Sequence, residues 1–133
     1  MSSQMPSSVS VDAMVLWLVL LTLKHLVADF LLQTSWMANG KDARTGWAAP
    51  LLTHCAIHGV LTTLLIAILQ PKLWFLGLID FTIHLAIDRT KGLCVSTFNI
   101  GPDHRWFWWA IGIDQALHQL TNCGLALILA VNR

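Results

Sequence analysis

The sequence contains no glutamate and no tyrosine, and charged side chains make up only 11% of its 133 residues. Because the formal net charge is +1, the chain lacks the strong positive charge of nucleic-acid-binding proteins, and we expect no nucleic-acid partner. Cysteine is also scarce: Cys55, Cys94 and Cys123 occur singly, which gives neither a zinc-ribbon pattern nor a disulfide framework. We interpret the three cysteines as small buried hydrophobic residues.

Apolar residues, in contrast, are abundant. They form 56% of the chain, and the mean hydropathy of +0.64 is too high for an ordinary soluble protein of this length. A lipid bilayer is therefore the expected surrounding. Residues 1–10 are rich in serine and lack the basic region of a secretory signal, so we predict a disordered N-terminal tail followed by a single transmembrane domain at residues 11–133.

Four apolar segments are each about as long as the ~20 residues that a membrane-spanning helix needs. The predicted helices are residues 11–33, 48–69, 73–91 and 106–131. Ser10 or Asp12 can cap the first helix, Pro50 suits the first turn of the second, and Gly92 is placed as the C-cap of the third. The break at residues 70–72 is so short that the second and third helices must be antiparallel neighbours. The predicted fold is an all-α, integral membrane four-helix antiparallel bundle.

Each apolar segment also carries a pair of ionisable residues four positions apart, which places both on one helix face. The pairs are His25 and Asp29, His54 and His58, His84 and Asp88, and Asp114 and His118, with Asp80 one turn before His84. In an antiparallel bundle all nine groups lie about 5–18 Å from the same membrane surface, at a rise of ~1.5 Å per residue. We therefore expect these side chains to meet in the bundle interior.

Carboxylates and imidazoles in a membrane need partners, because burying each costs about a few kcal/mol. Imidazole and carboxylate together suit zinc, manganese or iron, and two ligands at i and i+4 can hold one ion. Two divalent ions would balance the four interior aspartates, whereas a single zinc would need about four ligands and leave the other groups to orient them. We expect a divalent metal, with zinc first. The predicted ligands are His25, Asp29, His54, His58, His84, Asp88, Asp114 and His118.

Other interpretations of these residues remain open. The same groups could form a metal-free structural network or a proton relay, and bis-histidine haem is a third alternative, although haem does not need an aspartate beside each imidazole. Near the start of its helix, one of His54 and His58 could bond a loop instead of an ion. Asp80 could orient an imidazole as readily as bind the ion, and Gln33 and Gln115 could contact substrate or cap a helix.

Two further residues near these motifs are interpreted without a site role. His104 lies beside charged residues in a polar loop and is expected to be a solvated surface group. Lys24 points about 100° away from His25, so we expect its side chain to extend along the lipid-facing surface.

The basic residues predict the orientation of the protein in the membrane. The longer loops and their flanks contain most of them, namely Lys41, Arg44, Arg89, Lys91 and Arg105, and the opposite side has Lys72 and Arg133. By the positive-inside rule, the site faces the cytoplasm of a bacterial inner membrane and both termini are periplasmic. Homo-oligomers are possible because Gly59, Gly77, Gly112 and Gly124 allow close helix approach within or between chains.

The motifs resemble those of a known family. The residues that carry the resemblance are His25, Asp29, Phe30 and Gln33, then His54 and His58, His84 and Asp88, and Asp114, Gln115 and His118. They resemble the signature of a widespread family of small, uncharacterised bacterial and phage integral membrane proteins, over most of the chain from Leu21 to Leu120. More distantly, the chain is similar to longer inner-membrane proteins described as metal-dependent hydrolases. The resemblance implies a membrane protein with a His/Asp site.

These observations predict a metal-dependent hydrolase that acts on a membrane-embedded or lipid-linked substrate. The metal would activate water, Asp88 or Asp114 would serve as general base, and the loops at 34–47 and 93–105 would gate access. One alternative is a transport protein for a divalent cation or protons that uses the same cluster. Another is an accessory membrane protein in which the polar network is structural.

Overall fold

A computed structural model describes residues 8–132, and in this part of the chain every regular element is helical. The elements are α1 (Val11–Leu26), a π-helical segment that continues it (Val27–Leu32), α2 (Ser35–Gly40), α3 (Ala48–Leu69), α4 (Leu76–Thr97) and α5 (Arg105–Val131). A short 3₁₀ turn, Pro71–Leu73, connects α3 to α4. Most of the predicted disordered tail, at residues 1–7, lies outside the described residues.

Local capping explains where the first and last helices begin. Ser10, rather than Asp12, caps α1, because the backbone N–H of Ala13 donates to Ser10 Oγ at 3.3 Å. His104 caps α5 by accepting the backbone N–H of Trp106 on Nδ1, also at 3.3 Å. The His104 side chain is exposed, as expected for a surface group. These caps satisfy backbone donors that have no partner inside the helix.

Helix α4 is longer than the sequence predicted, and the assignment of Gly92 as its C-cap was wrong. The helix continues to Thr97, with Gly92 buried inside it. A Cβ atom on Gly92 would lie 3.1 Å from Asp42 Oδ1 and 3.3 Å from the carbonyl oxygen of Lys41. Glycine thus allows a close approach here, because the loop before α3 packs directly against α4.

Helices α3 and α4 form the closest helix pair and run in opposite directions. The contacting pairs are His54 with Asp88, His58 with His84, and Thr62 with Asp80. As residue numbers increase along α3, the numbers of the residues that they contact on α4 decrease, so the two helices are antiparallel. Gly59 and Gly77 lie at this contact, where a Cβ on Gly77 would lie 2.8 Å from the carbonyl oxygen of Gly59. Helix α1 packs along α5, which also contacts α4.

The interior has an apolar end and a polar middle. Its apolar end is formed by Trp17, Leu21, Ile66, Leu76, Leu125, Ala126 and Leu129. The outer faces of the helices expose large apolar side chains, for example Ile68, Phe30 and Leu120. Two helical segments, Val11–Leu32 and Ala48–Leu69, are long and apolar enough to cross a membrane, with mean hydropathy of 2.0 and 1.9.

Candidate metal centre

Five imidazoles from α1, α3, α4 and α5 lie together in the polar middle of the protein. The ring of His84 stacks on His58, with centroids 3.8 Å apart, and on His118, with centroids 3.9 Å apart. His25 lies 4.9 Å from His58, and His54 lies 4.8 Å from the same ring. The five histidines singled out from their spacing thus form one cluster, in which the His84 ring lies within 5.7 Å of each of the other four.

The carboxylate of Asp29 joins three of these imidazoles. Its Oδ1 lies 2.9 Å from His58 Nε2 and 3.5 Å from His54 Nε2, and its Oδ2 lies 3.1 Å from His25 Nε2. Asp29 belongs to the π-helical segment, a geometry that is frequent at functional sites. Because a π-helical turn holds more residues than an α-helical turn, it changes the direction of the side chains that follow it.

Two sets of side chains have the spacing to hold a metal ion. The first is Asp29, His54, His58 and His84, and the second is His84, Asp88 and His118. Within each set the potential ligand atoms all lie within 4.8 Å of one another. His84 belongs to both sets, and its Nε2 is buried without a hydrogen-bond partner among residues 8–132. A buried polar atom without a partner is costly, so a bound ion would fit this position.

The carboxylate of the second set is already neutralised by protein groups. Asp88 Oδ2 lies 3.1 Å from Lys41 Nζ, and Asp88 Oδ1 lies 3.0 Å from His118 Nε2 and 4.0 Å from Lys91 Nζ. Asp29 pairs only with imidazoles in the described part of the chain. The first set, which we call the Asp29 donor set, is therefore the better place for a cation.

Three residues of this centre were not predicted from the sequence, namely Lys41, Asp42 and Lys91, because they lie in the loops and their flanks. Lys41 Nζ lies 3.3 Å from His54 Nε2 in addition to its contact with Asp88. Lys91 Nζ lies 3.7 Å from Asp42 Oδ2. The position of Lys91, three residues after Asp88 on the same helix face, could have revealed it. No comparable signal exists for Lys41, since the loop must first fold back.

Lys41 and Asp42 make crossed ion pairs with α4, Lys41 with Asp88 and Asp42 with Lys91. We call these two pairs the loop clasp. Burial raises the pKa of the Asp42 carboxyl, and the neighbouring charges of Lys91 and Lys41 oppose that rise. The clasp holds the loop before α3 over the centre, and the absence of a side chain at Gly92 lets the loop backbone approach.

A second buried ion pair lies beside the imidazoles. Lys24 Nζ is 2.9 Å from Asp80 Oδ2, which also accepts a hydrogen bond from Thr62 Oγ1 at 2.5 Å. The expectation that Lys24 extends along the lipid-facing surface was wrong: its side chain is buried, because the buried carboxylate of Asp80 provides its counter-charge. Asp80 bonds Lys24 and Thr62 rather than an imidazole, so these contacts do not give it the orienting role considered for it.

The remaining predicted site residues lie at the edge of the centre. Asp114 Oδ1 is 3.5 Å from Lys91 Nζ and 3.7 Å from His118 Nε2. Gln115 Nε2 donates to Asp114 Oδ2 at 3.2 Å. Gln33 ends the π-helical segment, and within the described residues its buried Oε1 has no hydrogen-bond partner. Asp114 and His25, both predicted as ligands, belong to neither donor set.

The charge of the centre differs from the count made on the sequence. Its carboxylates are Asp29, Asp42, Asp80, Asp88 and Asp114, and its ammonium groups are Lys24, Lys41 and Lys91. With neutral imidazoles the formal charge is −2, which one divalent ion balances. The sequence left one or two ions open, and the charge that favoured two ions did not include the three lysines. The centre therefore favours a single divalent ion.

Comparison with known proteins identifies a family. The model of a family described as proteins of unknown function, DUF3307, matches residues 17–131, a range that includes every predicted ligand. No curated protein and no solved structure matches the chain. Because the family match spans most of the sequence, the chain belongs to the DUF3307 family of proteins of unknown function.

Proposed function

We propose that the protein is an integral membrane protein whose helices α1, α3, α4 and α5 cross the bilayer as an antiparallel bundle. The distribution of side chains supports this proposal. Ile68 is 78% exposed and Phe30 is 75% exposed, whereas Asp88 is 1% exposed. Such an arrangement would present large apolar patches to water, but it suits a hydrocarbon solvent. Helices α4 and α5 are more polar than α1 and α3, but their aspartates are buried among the other helices.

The proposed location is a bacterial inner membrane, with the loops that flank the centre in the cytoplasm and both termini in the periplasm. Arg44, Arg89 and Arg105 support this orientation through the positive-inside rule. The guanidinium of Arg89 lies 3.6 Å from the centre of the Trp47 ring, a contact that suits the membrane interface. Lys41 and Lys91, whose charges also lie on this side, instead form ion pairs with Asp88 and Asp114.

Within this membrane protein, we propose a metal-dependent hydrolase that acts on a membrane-embedded or lipid-linked substrate. One observation carries the proposal: the four ligand atoms of the Asp29 donor set lie within 4.8 Å of one another. Three imidazoles and one carboxylate suit zinc, and His84 Nε2, which has no hydrogen-bond partner among residues 8–132, fits a ligand role. A divalent ion bound here would supply Lewis acidity and lower the pKa of water.

Of the two predicted general bases, Asp88 is better placed. Its Oδ2 lies 3.5 Å from His54 Nε2 and 4.0 Å from His84 Nε2, so it borders the Asp29 donor set. Lys41 and His118 hold the carboxylate from either side. The Asp88 carboxylate is therefore held in its ionised form beside the ligands, which is the form that a general base requires. Asp114 is one residue farther away, beyond His118.

The metal-free structural network is the main competing proposal, and the three lysine pairs favour it because they neutralise carboxylates without any ion. In the described part of the chain, that network does not provide a hydrogen-bond partner for His84 Nε2. Transport has less support. Between Asp80 and the periplasmic end of the bundle, the interior is filled by apolar side chains such as Trp17, Ile66 and Leu129. These side chains obstruct a polar path across the membrane.

The test is to purify the protein in nanodiscs and measure metal content together with hydrolysis of ester and phosphoester amphiphiles. We expect about one zinc ion per chain, a metal-dependent hydrolysis, and loss of both in His84→Ala. Asp88→Asn should keep the ion and lose hydrolysis. His104→Ala, which changes an exposed histidine outside the cluster, should keep both. Folded wild-type protein without metal, or hydrolysis that survives both His84→Ala and Asp88→Asn, would reject the proposal.

A further inference from the structure

A groove between α4 and α5 opens on the outer surface of the protein, beside the centre. Its volume is about 490 Å³, which lies within the range of about 300–1,000 Å³ that is usual for small-molecule sites. Apolar side chains form most of the wall, including Ile87, Trp109 and Leu117, and the polar lining includes Thr90, Lys91 and Asp114. We propose that this groove binds a substrate lipid, with its ester or phosphoester group at Lys91 and Asp114 and one hydrocarbon chain along the apolar wall.

The shape and chemistry of the groove fit an amphiphile. Along α5 the lining runs from Trp106 to Leu117, about 16 Å at the rise of an α-helix. Lys91 and Asp114 are 3.5 Å apart on the two walls, so the polar lining is concentrated at one level. A lysine donor at that level complements the acceptor oxygens of an ester or phosphoester, and the apolar wall complements the hydrocarbon chain. A helix from a second copy would instead bury this ion pair against apolar side chains.

The polar level of the groove is continuous with the proposed general base. Asp114 Oδ1 is 3.7 Å from His118 Nε2, which is 3.0 Å from Asp88 Oδ1. A lipid whose chain lies in the groove would therefore present the bond next to its head group to Asp88 and the Asp29 donor set. This inference rests on the proposed hydrolase function and adds to it the class of substrate and its route of entry from the bilayer.

The experiment uses the full chain in nanodiscs of phosphatidylcholine and phosphatidylglycerol, with a small fraction of phospholipid that carries a diazirine in one acyl chain. After irradiation, mass spectrometry maps the labelled residues. We expect labelling concentrated on residues 86–94 and 106–117, above that of Leu120 and Ile68, which are also exposed. Uniform labelling of the apolar surface would overturn the proposal, as would chain-to-chain crosslinks that place a second copy in the groove.

Two tryptophan substitutions on α5 sharpen the test. Ala110 lines the groove, so Ala110→Trp should fill it and remove most of the labelling of residues 86–94. Leu120 is 66% exposed and does not line the groove, so Leu120→Trp should leave the labelling unchanged. Labelling that persists in Ala110→Trp would reject the groove.

The two proposals fail in different ways. Labelling does not depend on metal or turnover, so wild-type protein that labels in the groove but hydrolyses nothing would support the groove and count against the hydrolase. Ala110→Trp should keep its metal and lose hydrolysis of long-chain lipids. Retention of that hydrolysis at the wild-type rate would reject the groove alone.

Discussion

Lys41 Nζ lies 3.1 Å from Asp88 Oδ2, so a side chain from the loop before α3 reaches the interior of the helices. The same ammonium group is 3.3 Å from His54 Nε2, which belongs to the Asp29 donor set. Lys41 therefore has two opposing effects: it fixes the carboxylate of Asp88, and it places a positive charge beside the proposed cation site.

We predict that Lys41→Met increases the affinity for zinc by at least about tenfold. A like charge at about 4 Å costs several kcal/mol at the effective dielectric constant of a protein, so tenfold is a conservative figure. Competition titration with a zinc-binding dye measures the change. Lys72→Met, which alters the 3₁₀ turn at the other end of α3, is the control and should leave affinity unchanged. A weaker affinity in Lys41→Met would contradict the placement of the ion beside Lys41.

The donor sets also predict different effects for two neighbouring histidines. His58 is a member of the Asp29 donor set, whereas His25 lies outside it and orients the Asp29 carboxylate, with Nε2 3.1 Å from Oδ2. His58→Ala should abolish stoichiometric zinc binding. His25→Ala should weaken zinc binding by about 10–100-fold, as is typical when a residue that orients a ligand is removed. Equal effects of the two substitutions on the measured Kd would show that the ligand assignment is wrong.

Close packing of α3 and α4 gives a prediction about stability. A methyl group at Gly77 would collide with the Thr63 side chain, whereas in the described structure nothing lies within 4 Å of a Cβ at Gly124. Gly77→Ala should destabilise the protein by about 1–3 kcal/mol. Gly124→Ala should be neutral or stabilise its helix by up to about 1 kcal/mol. Denaturant unfolding in mild detergent compares the two, and a Gly77→Ala protein as stable as wild type would contradict the observed contact.

The buried pair of Lys24 and Asp80 predicts strong coupling between two substitutions. Lys24→Met leaves the carboxylate of Asp80 buried without its counter-charge and should cost about 3–5 kcal/mol. The double variant Lys24→Met with Asp80→Leu should recover much of that loss, because no charge is left behind. Thermal unfolding of the single and double variants measures the coupling energy. If the two losses simply add, the pair does not form in the protein.

The all-helical fold and the meeting of the five histidines follow directly from the sequence. Helical periodicity places His54 and His58, or His84 and Asp88, on one face, and the depth argument requires only the direction of each helix. The same spacing correctly placed Asp29 beside His25. The π-helical segment that sets the direction of the Asp29 side chain, however, could not be detected from composition or periodicity.

The sequence could not show which charges neutralise each other. Lys24 was expected to face lipid and Lys41 to lie in a loop without a site role. Local spacing could not reveal their partners, Asp80 and Asp88, because these are distant in the chain. Gly92 suited the end of a helix, but the structure uses it for the approach of a loop. Lys41 does lie in a loop, and only its contact with Asp88 was missed. The wrong predictions for Lys24 and Gly92 and the missed contact of Lys41 share one cause, because each depends on a long-range contact. The three lysines also reduce the formal charge of the centre to −2, so that of the one or two ions that the sequence left open, one is enough.

The central claim is that Asp29, His54, His58 and His84 hold one divalent ion. Anomalous diffraction from crystals of the wild-type protein, measured on both sides of the zinc, iron and manganese absorption edges, tests it most directly. We predict one anomalous peak per chain, within about 2.0–2.2 Å of an imidazole nitrogen of each histidine and of a carboxylate oxygen of Asp29. A well-ordered centre without any peak, or a peak bound by Asp88 and His118 instead, would contradict the account.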